Sequence, residues 1–422
     1  MNSKQFLQIV LGHIRSKEAK QHVQTELSQH IQKNKEVWLT QGYNEEEAEK
    51  KAVLAMGPPT TLGKSLNRVH KQKIDWLLLV IFGAILLLGF LPLLTLDVEL
   101  DQQLLIRNKI VHVLVSFSIV LGMMFIDFRK WAGWGYVFYG LGMGFLILLT
   151  FFSTHHINGE PFFFRLNAWF TLPLFCLAWA ALLAKKDFPL WQLGIFVFGS
   201  LMLFSFVANL NVLLLYLALL FVLFSSSALS KKKKAIIVSC SILLVVSITL
   251  YLVINYRNGS IATYQLARFW AFLDPYAYGD TEGFLYVRFA DIIRQAHWFG
   301  SGSTFILHEA HTDFVLVHLI QSFGLATALG IVVLLFVVLY RCIRIATNIH
   351  HHFGRLLVVG ALTLFAMQLL YSIAMTFGIV PITSFSLPFI SYGLSTTILN
   401  AFFIGIALSV YRHQHRQFPS IS

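Results

Sequence analysis

The chain has 422 residues, of which 57% are hydrophobic and only 12% are charged, and its formal net charge is +12. Soluble domains are typically about half apolar and a quarter charged, so this composition excludes an ordinary soluble protein and predicts that most of the chain lies in lipid. The positive charge is then typical of cytoplasmic loops in a membrane protein rather than of nucleic-acid binding. The three cysteines show no metal-site or disulfide spacing, and the polar first 70 residues predict no signal peptide.

Residues 1–74 predict a small helical domain in the cytoplasm. Ser16 can cap a helix whose apolar positions recur at helical spacing, namely Val23, Leu27, Ile31 and Trp38. A further helix is predicted to begin at Asn44, where Glu47 follows in a capping-box pattern, and to stop at Gly57 before two prolines. The stretch "AMGPPTTLGKSLNRVHK" resembles the helical prefix modules that precede some bacterial permease-type proteins.

From Asp75 onward, ten apolar runs follow one another, and each is long enough to span a bilayer at about 20 residues per span. They lie near 75–96, 110–128, 132–152, 166–184, 189–207, 210–229, 235–254, 312–340, 355–379 and 388–411. The sequence therefore predicts an all-α polytopic membrane domain over residues 75–411, followed by a cytoplasmic tail at 412–422.

Basic residues set the predicted orientation. If the N-terminal domain is cytoplasmic, every inner connection carries Lys or Arg, including "DFRKW", "SKKKK" and "RCIRIATNIHHHFGR". The outer connections at 153–165, 208–211 and 380–387 hold almost none. The positive-inside rule therefore predicts cytoplasmic N and C termini.

One connection, residues 255–311 between the seventh and eighth spans, is far longer than the others and is predicted to be external. Loops of this length are usually functional or disordered, and this one mixes charged residues with Trp and Phe. Within it, Arg288, Asp291 and Arg294 share one helical face, and the opposite face is apolar (Phe289, Ile292, Ile293, Ala296, Phe299). Such a helix is expected to rest on the membrane interface with its apolar face down.

Two stretches near the C-terminal third carry a family resemblance. "HEAHTDF" at 308–314 and "GIVPITSFSLPFISYGLSTTILN" at 378–400 resemble the SEDS family of shape, elongation, division and sporulation proteins, which includes RodA, FtsW and SpoVE. "RFWAFLDP" at 268–275 is similar to the lead-in to that family's large external loop. The ten predicted spans and the cytoplasmic termini fit the same family.

The resemblance implies a peptidoglycan glycosyltransferase in the bacterial cytoplasmic membrane. Its substrate would be lipid II, a disaccharide-pentapeptide on undecaprenyl pyrophosphate, and its partner a class B penicillin-binding transpeptidase. No metal site and no nucleic-acid partner are predicted. A divalent cation, Mg²⁺ or Mn²⁺, is the one cofactor that the pyrophosphate chemistry would accommodate.

Glycosyl transfer needs a base for the acceptor hydroxyl and positive charge for the departing pyrophosphate, which carboxylates and arginines supply. In "LDPYAYGDTEGFLYVR" an ungapped match to the family puts Tyr278 at the catalytic position, so the candidate bases are Asp280 first, then Glu282, then Asp274. The alternative for Asp280 is a simple turn residue beside Gly279. The predicted substrate-binding residues are Arg268, Arg288, Arg294, His311, Thr312, Asp313, Ser391 and Tyr392.

The position of Asp313 at the head of the eighth span allows two interpretations. It can cap the helix through the N-terminal amides, as Thr312 can, or it can position substrate together with His311. The two roles are compatible with each other.

Several family positions differ in this chain. The "QPSE"-type segment is not seen near the fourth span, Asn209 stands where the family has an acid, and Gln321 and Ser322 replace two further acids. These differences, with Tyr278, support a second hypothesis, a non-catalytic scaffold that docks a cell-wall synthase. A flippase for a lipid-linked precursor is a third, and it would require ionisable residues at mid-membrane, which the spans largely lack.

Overall fold

The structure is a computed structural model of the full chain. It describes residues 1–14, 17–70, 74–95, 102–157, 160–164, 166–207, 209–236, 238–239, 254, 256, 263–300, 309–349 and 351–413. The chain forms two compact units, one comprising Met1–Ile74 with Tyr411–Ser422 and the other comprising Asp75–Val410.

The described residues of the first unit form four helices: α1 (Ser3–His13), α2 (Lys17–Thr40), α3 (Glu45–Ala55) and α4 (Pro59–His70). Asn2 and Gln5 form a full capping box at the start of α1, a helix that the sequence did not predict. Asn44 caps α3 by accepting a hydrogen bond from the Glu47 amide at 2.8 Å, as predicted. The predicted cap Ser16 lies outside the described residues.

A single apolar core holds these four helices together. Its buried members come from α1, α2 and α3, and Leu62 and Leu66 of α4 pack against it; they are Phe6, Val10, Ile14, Val23, Leu27, Ile31, Ala52 and Val53. Gly63 lets α4 approach α1, because a Cβ there would lie 2.9 Å from the Val10 carbonyl oxygen. The helical periodicity of this polar region therefore encodes a packed domain.

The second unit consists of helices joined mostly by short connections. In chain order they are α5 (Trp76–Leu88), α6 (Leu91–Leu94), α7 (Gln102–Phe125), α8 (Gly135–Phe151), α9 (Thr171–Leu183), α10 (Leu190–Val207), α11 (Leu210–Ser226), α12 (Thr263–Leu273), α13 (Phe284–Arg294), α14 (Val315–Phe323), α15 (Leu325–Thr347), α16 (His352–Thr376) and α17 (Leu394–His413). Two short 3-10 helices lie at Phe128–Trp131 and Ala168–Phe170. Strands β1 (His155–Ile157) and β2 (Glu160–Phe162) form an antiparallel hairpin between α8 and α9.

Nine apolar segments of this unit match nine of the ten predicted spans. In the part of the chain that the structure describes, six helical segments are long and apolar enough to cross a membrane: Trp76–Leu94, Gln102–Phe125, Leu190–Val207, Leu325–Thr347, His352–Thr376 and Leu394–His413. Three shorter apolar helices are Gly135–Phe151, Ala168–Leu183 and Leu210–Ser226. The seventh predicted span, 235–254, lies almost entirely outside the described residues. The fold is all-α and polytopic, as predicted.

The helix α9 lies at the centre of the unit and packs on α8, α11 and α16. Nearly all of its residues are buried, including Phe175 and Trp179. Two glycines permit this close packing: a Cβ at Gly142 would lie 3.1 Å from the Phe175 ring, and one at Gly360 would lie 2.9 Å from the Cys176 sulfur. Small residues at such contacts are how membrane helices approach each other.

The predicted eighth span, 312–340, is wrong in its bounds. The helix begins at Val315, breaks at Gly324, and continues as α15 to Thr347. Gly324 has φ +86°, and a Cβ there would lie 2.7 Å from the Trp298 carbonyl oxygen. The amides of Leu325 and Ala326 donate to the carbonyls of His297 and Trp298, both at 3.0 Å, so backbone from the segment after α13 satisfies the first donors of α15.

Two ends of the long helices also differ from the prediction. The connection after α15 was predicted to run over 341–355, but the helix continues to Thr347 and the next one begins at His352, capped by His351. Arg341, which was expected in that loop, lies within α15 and pairs with Asp75 at 2.5 Å. Asp75 in turn caps α5, accepting from the Leu78 amide at 3.0 Å.

Candidate functional site

Two loops that carry the predicted binding residues meet in the structure. Residues 309–314, the 309 loop, precede α14, and residues 381–393, the 381 loop, precede α17. The amide of Tyr392 donates to the carbonyl oxygen of His311 at 2.7 Å, and the two side-chain rings lie 5.7 Å apart between centroids. The two stretches identified in the sequence therefore form one local structure, although about 80 positions separate them.

The 381 loop is held from behind by a lysine that sequence reasoning missed. Lys109 of α7 is 1% exposed, and its ammonium group donates to the carbonyl oxygens of Phe389 (2.9 Å), Ile390 (3.2 Å) and Ser391 (3.0 Å). An ammonium group has three N–H donors, so these three carbonyls use all of them. One of the three carbonyls belongs to Phe389, which has φ +64°, a left-handed conformation that a bulky residue rarely adopts.

Gly89, after α5, provides the space that this arrangement needs. A Cβ at this position would lie 2.8 Å from the Phe389 carbonyl oxygen and 3.1 Å from the Lys109 side chain. Within the 381 loop, the hydroxyl of Ser391 accepts from the Leu387 amide at 2.8 Å. Ser391 is 2% exposed, so it shapes the loop from inside rather than facing a ligand.

Further polar groups of α7 surround Tyr392. The side-chain amide of Asn108 donates to the Tyr392 hydroxyl at 3.2 Å, and the His112 ring lies 5.2 Å from the Tyr392 ring. His112 follows Asn108 by four positions and Lys109 by three, and residues at these spacings are neighbours on a helix, so the three lie on one side of α7. This helix begins at Gln102, eight residues before the predicted span, and supplies one wall of the candidate site.

The prediction that Asp313 caps α14 is wrong. The N-cap position is Phe314 and no side chain caps the helix; the Thr312 hydroxyl donates to Glu309 instead. Asp313 is hydrogen-bonded by Ser384 of the 381 loop. Burial raises the pKa of the Asp313 carboxyl to about 6, with further repulsion from Glu309 and Glu160, while the bond from Ser384 acts in the opposite direction.

Glu160, on strand β2, is a second carboxylate in this region that the sequence did not single out. The side-chain amides of Asn209 and Asn167 donate to its two oxygens, at 2.5 Å and 3.4 Å. Burial raises the pKa of Glu160 above its ordinary value, and the bonds from the two asparagines oppose that shift. Asn209 also caps α11 through its other side-chain atom, which accepts from the Val212 amide at 3.1 Å.

The predicted catalytic acids lie in a compact turn between α12 and α13, residues 274–283, which we call the acidic turn. Asp274 accepts from the Ala277 amide at 3.3 Å, and the Tyr278 carbonyl accepts from the amides of Thr281 and Gly283. Asp280 and Glu282 are both exposed, and neither carboxylate accepts a hydrogen bond from the part of the chain that the structure describes. Gly283 is required here, because a Cβ would lie 2.4 Å from the Pro275 carbonyl oxygen.

The helix α13 covers the two loops, which corrects the expectation that it rests on the membrane interface. Its apolar residues Phe289 and Ile292 are buried against Ala310, Phe314, Val317 and Ile382. The hydroxyl of Tyr286 accepts from the Ile382 amide at 2.9 Å, which ties α13 to the 381 loop. The helix ends at Arg294, and Phe299 is 79% exposed, so the predicted apolar face does not extend that far.

The predicted arginines are distributed around α12 and α13. Arg268 is exposed on α12, and Arg288 lies over the Phe284 ring, 5.3 Å from its centroid. Arg294 lines an open cavity of about 320 Å³ between α13 and the end of α16, together with Pro275, Tyr286 and Met375. Among the described residues, no group of three or more His, Cys, Asp or Glu side chains could hold a metal ion.

The structure thus brings together His311, Asp313, Ser391 and Tyr392, and leaves Asp274, Asp280 and Glu282 on the adjacent exposed turn. Lys109, Asn108 and Glu160 escaped the sequence reasoning because the loops that they contact are distant in the chain. Lys109 was overlooked for a further reason: the predicted span began at residue 110, whereas the helix begins at Gln102 and includes the lysine.

Comparisons with known proteins agree with this arrangement. A family model described as "Cell cycle protein" and named for FtsW, RodA and SpoVE matches residues 70–416. A probable peptidoglycan glycosyltransferase FtsW from Thioalkalivibrio sp. (strain K90mix) is 35% identical over 160 residues, which is 36% of this chain and 40% of that relative. The chain therefore spans less than half the length of this curated relative.

Solved structures share the fold at low sequence identity. A chain from a peptidoglycan synthase complex, described as coordinating polymerization and crosslinking, has a TM-score of 0.65 and 23% identity, covering 82% of this chain and 99% of its own. The rod shape determining protein RodA of Thermus thermophilus has a TM-score of 0.57 and 19% identity, covering 82% of this chain and 98% of its own.

Proposed function

Because the chain belongs to the FtsW/RodA/SpoVE family, the SEDS proteins, we propose that it is a peptidoglycan glycosyltransferase that polymerises lipid II at the outer face of the cytoplasmic membrane. The naming of the FtsW relative as a probable peptidoglycan glycosyltransferase supports this activity. The multi-pass membrane fold supports a lipid-linked substrate, whose polyprenyl tail would lie among the apolar spans.

One observation carries the proposal. The 309 and 381 loops, which hold the residues of the family resemblance, are joined by the bond between Tyr392 and His311 and supported by Lys109. Asp313 lies at this junction with a pKa of about 6, close to neutral, where a carboxyl can exchange protons or bind a substrate donor. The combination is typical of a reaction site rather than of a helix start.

In the proposed reaction, the acceptor sugar hydroxyl attacks the anomeric carbon of the donor. A base removes the hydroxyl proton as the new glycosidic bond forms, and the bond from the anomeric carbon to the pyrophosphate oxygen breaks. Undecaprenyl pyrophosphate leaves, and the arginines stabilise its charge: Arg268, Arg288 and Arg294. No electron transfer is involved.

We assign the base first to Asp280, with Glu282 and then Asp274 as alternatives. Asp280 and Glu282 are both exposed, as a base that must reach the substrate hydroxyl requires, and Asp280 is placed first because it lies nearest in the sequence to the family's catalytic position at Tyr278. Asp274 is engaged in the turn by the Ala277 amide. His311, Thr312, Asp313 and Tyr392 would bind and orient the substrate, whereas Ser391 would act by shaping the 381 loop.

The remaining assignments follow the same reasoning. The resemblance of the fold to a chain from a peptidoglycan synthase complex supports a class B penicillin-binding transpeptidase as the partner. The positive-inside pattern supports cytoplasmic N and C termini. A divalent cation, Mg²⁺ or Mn²⁺, would assist the pyrophosphate by neutralising its charge, and no resident cofactor is proposed.

The test is polymerisation of labelled lipid II by the purified full-length protein, alone and with a candidate transpeptidase. Asp280→Asn should lower the rate by about 10²–10⁴-fold, the usual contribution of a positioned base. Asp274→Asn, on the same turn, should retain most of the activity. Glycan chains of normal length from Asp280→Asn would reject this residue as the base.

A second function is supported by a specific observation. An ungapped match puts Tyr278 at the position of the family's catalytic acid, and neither Asp280 nor Glu282 accepts a hydrogen bond from the described residues. A non-catalytic scaffold would bind the transpeptidase and raise its activity without producing glycan. Failure of the folded wild type to produce glycan with its partner present would favour this scaffold.

A further inference from the structure

The strongest unassigned feature of the molecule is the environment of Glu160. Strand β1 of its hairpin is exposed throughout, yet the Glu160 carboxylate is turned inward and held by two asparagines from different elements. Asn167 precedes a 3-10 helix and Asn209 precedes α11, so three segments converge on one carboxylate. Within the described residues, no basic side chain forms an ion pair with it.

A buried hydrogen-bond acceptor beside Glu160, the side-chain oxygen of Asn167, lacks a donor within the described part of the chain. Asn167 is 7% exposed, and its side-chain oxygen has no hydrogen-bond partner among the described residues; its amide points to Glu160. Buried acceptors without donors are costly, and a bound group with O–H or N–H donors removes that cost.

Glu160 also belongs to the electrostatic environment of the candidate site. The raised pKa of the Asp313 carboxyl comes chiefly from burial, and repulsion from Glu160 is its smallest contribution. The position where the family has an acid is Asn209 in this chain, and Asn209 is the residue that bonds to Glu160 at 2.5 Å. Glu160 therefore supplies a carboxylate within hydrogen-bond distance of that position.

We propose that Glu160 is a substrate-binding residue of the glycosyltransferase site, which accepts hydrogen bonds from hydroxyl or amide N–H donors of the lipid-linked disaccharide-pentapeptide. The inference rests on the proposed function, since that function defines the ligand. Asn209 is a positioning residue, because its amide holds the carboxylate and its oxygen caps α11. Asn167 holds the carboxylate through its amide, and its unpartnered oxygen can accept a donor of the same ligand. The donors could belong to the sugars or to the stem peptide, and both present the same chemistry.

The first experiment removes the charge and then restores it at the neighbouring position. In Glu160→Gln the Gln oxygen still accepts from Asn209, and the Gln NH2 group can donate to the otherwise unpartnered Asn167 oxygen once that amide turns over, so a purely structural role would be preserved. The expected result is a KM for lipid II raised about tenfold with kcat little changed, as for the loss of a bond that binds ground state and transition state equally. Adding Asn209→Asp, which keeps the α11 cap, should recover most of the affinity.

A matched control lies on the same hairpin. His156 is exposed on β1, and His156→Gln should leave both KM and kcat unchanged. A wild-type KM in Glu160→Gln would overturn the proposal. Loss of affinity that Asn209→Asp does not restore, in a protein with normal thermal unfolding, would overturn the role of the charge.

Direct binding separates this inference from the proposed function. The dissociation constant of a non-polymerisable lipid II analogue, measured in nanodiscs for wild type and Glu160→Gln, does not depend on turnover. A wild type that binds but produces no glycan rejects the proposed function and still tests Glu160. A second analogue without the stem peptide assigns the donors. If Glu160→Gln still raises the dissociation constant of this analogue, the donors belong to the sugars; if it no longer does, they belong to the peptide. An unchanged dissociation constant with both analogues rejects the subsite.

Discussion

The 381 loop and the acidic turn differ in the way that their conformations are maintained. The 381 loop is buried, and a lysine from a distant helix binds three of its carbonyls. The acidic turn is exposed and held by its own backbone, chiefly through bonds to the Tyr278 carbonyl. The candidate site therefore combines two kinds of segment. The 381 loop is fixed by long-range contacts, whereas the candidate acids lie on a locally folded, solvent-facing turn.

The largest effect on stability and activity is expected when the 381 loop loses its hydrogen bonds to Lys109. Lys109→Met removes the donor from three buried carbonyls, and unsatisfied buried groups cost about 1–3 kcal/mol each. The expected outcome is a large drop in the thermal unfolding temperature in detergent and loss of lipid II polymerisation. Asn108→Ala on the same helix removes one bond to Tyr392 and should cost far less. Equal melting of Lys109→Met and wild type would show that the 381 loop does not depend on this lysine.

The next prediction concerns the acidic turn and uses its two glycines. Gly283→Ala places a methyl group 2.4 Å from the Pro275 carbonyl oxygen, so the turn must shift. Gly279→Ala meets its nearest atom at 3.5 Å, which is ordinary contact. Polymerisation should fall at least about tenfold in Gly283→Ala, as expected when a catalytic group is displaced by about 1 Å, and remain near wild type in Gly279→Ala. Similar rates in both variants would mean that the geometry of the turn is unimportant.

A smaller effect is expected in the pH dependence of the polymerisation rate, through the Asp313 carboxyl. The Asp313 carboxyl has a raised pKa of about 6, so it loses its charge as the pH falls through that value. If the anion binds substrate, the rate should decline below about pH 6, and Asp313→Asn should abolish that decline. Glu160→Gln should move the decline to lower pH, because Glu160 repels the Asp313 anion and Glu309 and Ser384 are unchanged. An unchanged profile in Asp313→Asn would assign the decline to another group.

The smallest effect is expected at the contact between α13 and the 381 loop. Tyr286→Phe leaves the Ile382 amide without its acceptor at a cost of about 1 kcal/mol. The result should be a shift of a few degrees in thermal unfolding with little change in rate. Tyr276→Phe, in the exposed part of the same cavity, provides the control.

The spans and the family were predictable because hydrophobic length and local motifs survive in the linear sequence. Nine apolar segments lie where the composition placed them, whereas the break at Gly324 was missed because both sides of it are equally apolar. Glycine within such a run is common, and only the approach of the Trp298 carbonyl reveals its role.

The site was less predictable because its key contacts are long-range. Lys109 and Phe389 are 280 positions apart, and Glu160 and Asn209 are 49 apart. Helical periodicity correctly identified the buried Phe289 and Ile292, but not what covers them, since an apolar face fits lipid and protein equally well. Capping by Asp313 was one of two interpretations, because an aspartate at a helix start commonly caps it. In the structure Phe314 is the N-cap, and the Asp313 carboxyl interacts with Ser384 of the 381 loop instead.

Backbone hydrogen bonds just after Gly324 connect α15 to a segment that is distant from it in function and near it in space. Leu325 and Ala326 attach the first turn of this 23-residue helix to the carbonyls of His297 and Trp298, just beyond α13. The start of α15 is therefore fixed to the segment that follows α13, and α13 packs on the 309 and 381 loops. One continuous set of contacts thus joins a long apolar helix to the candidate site.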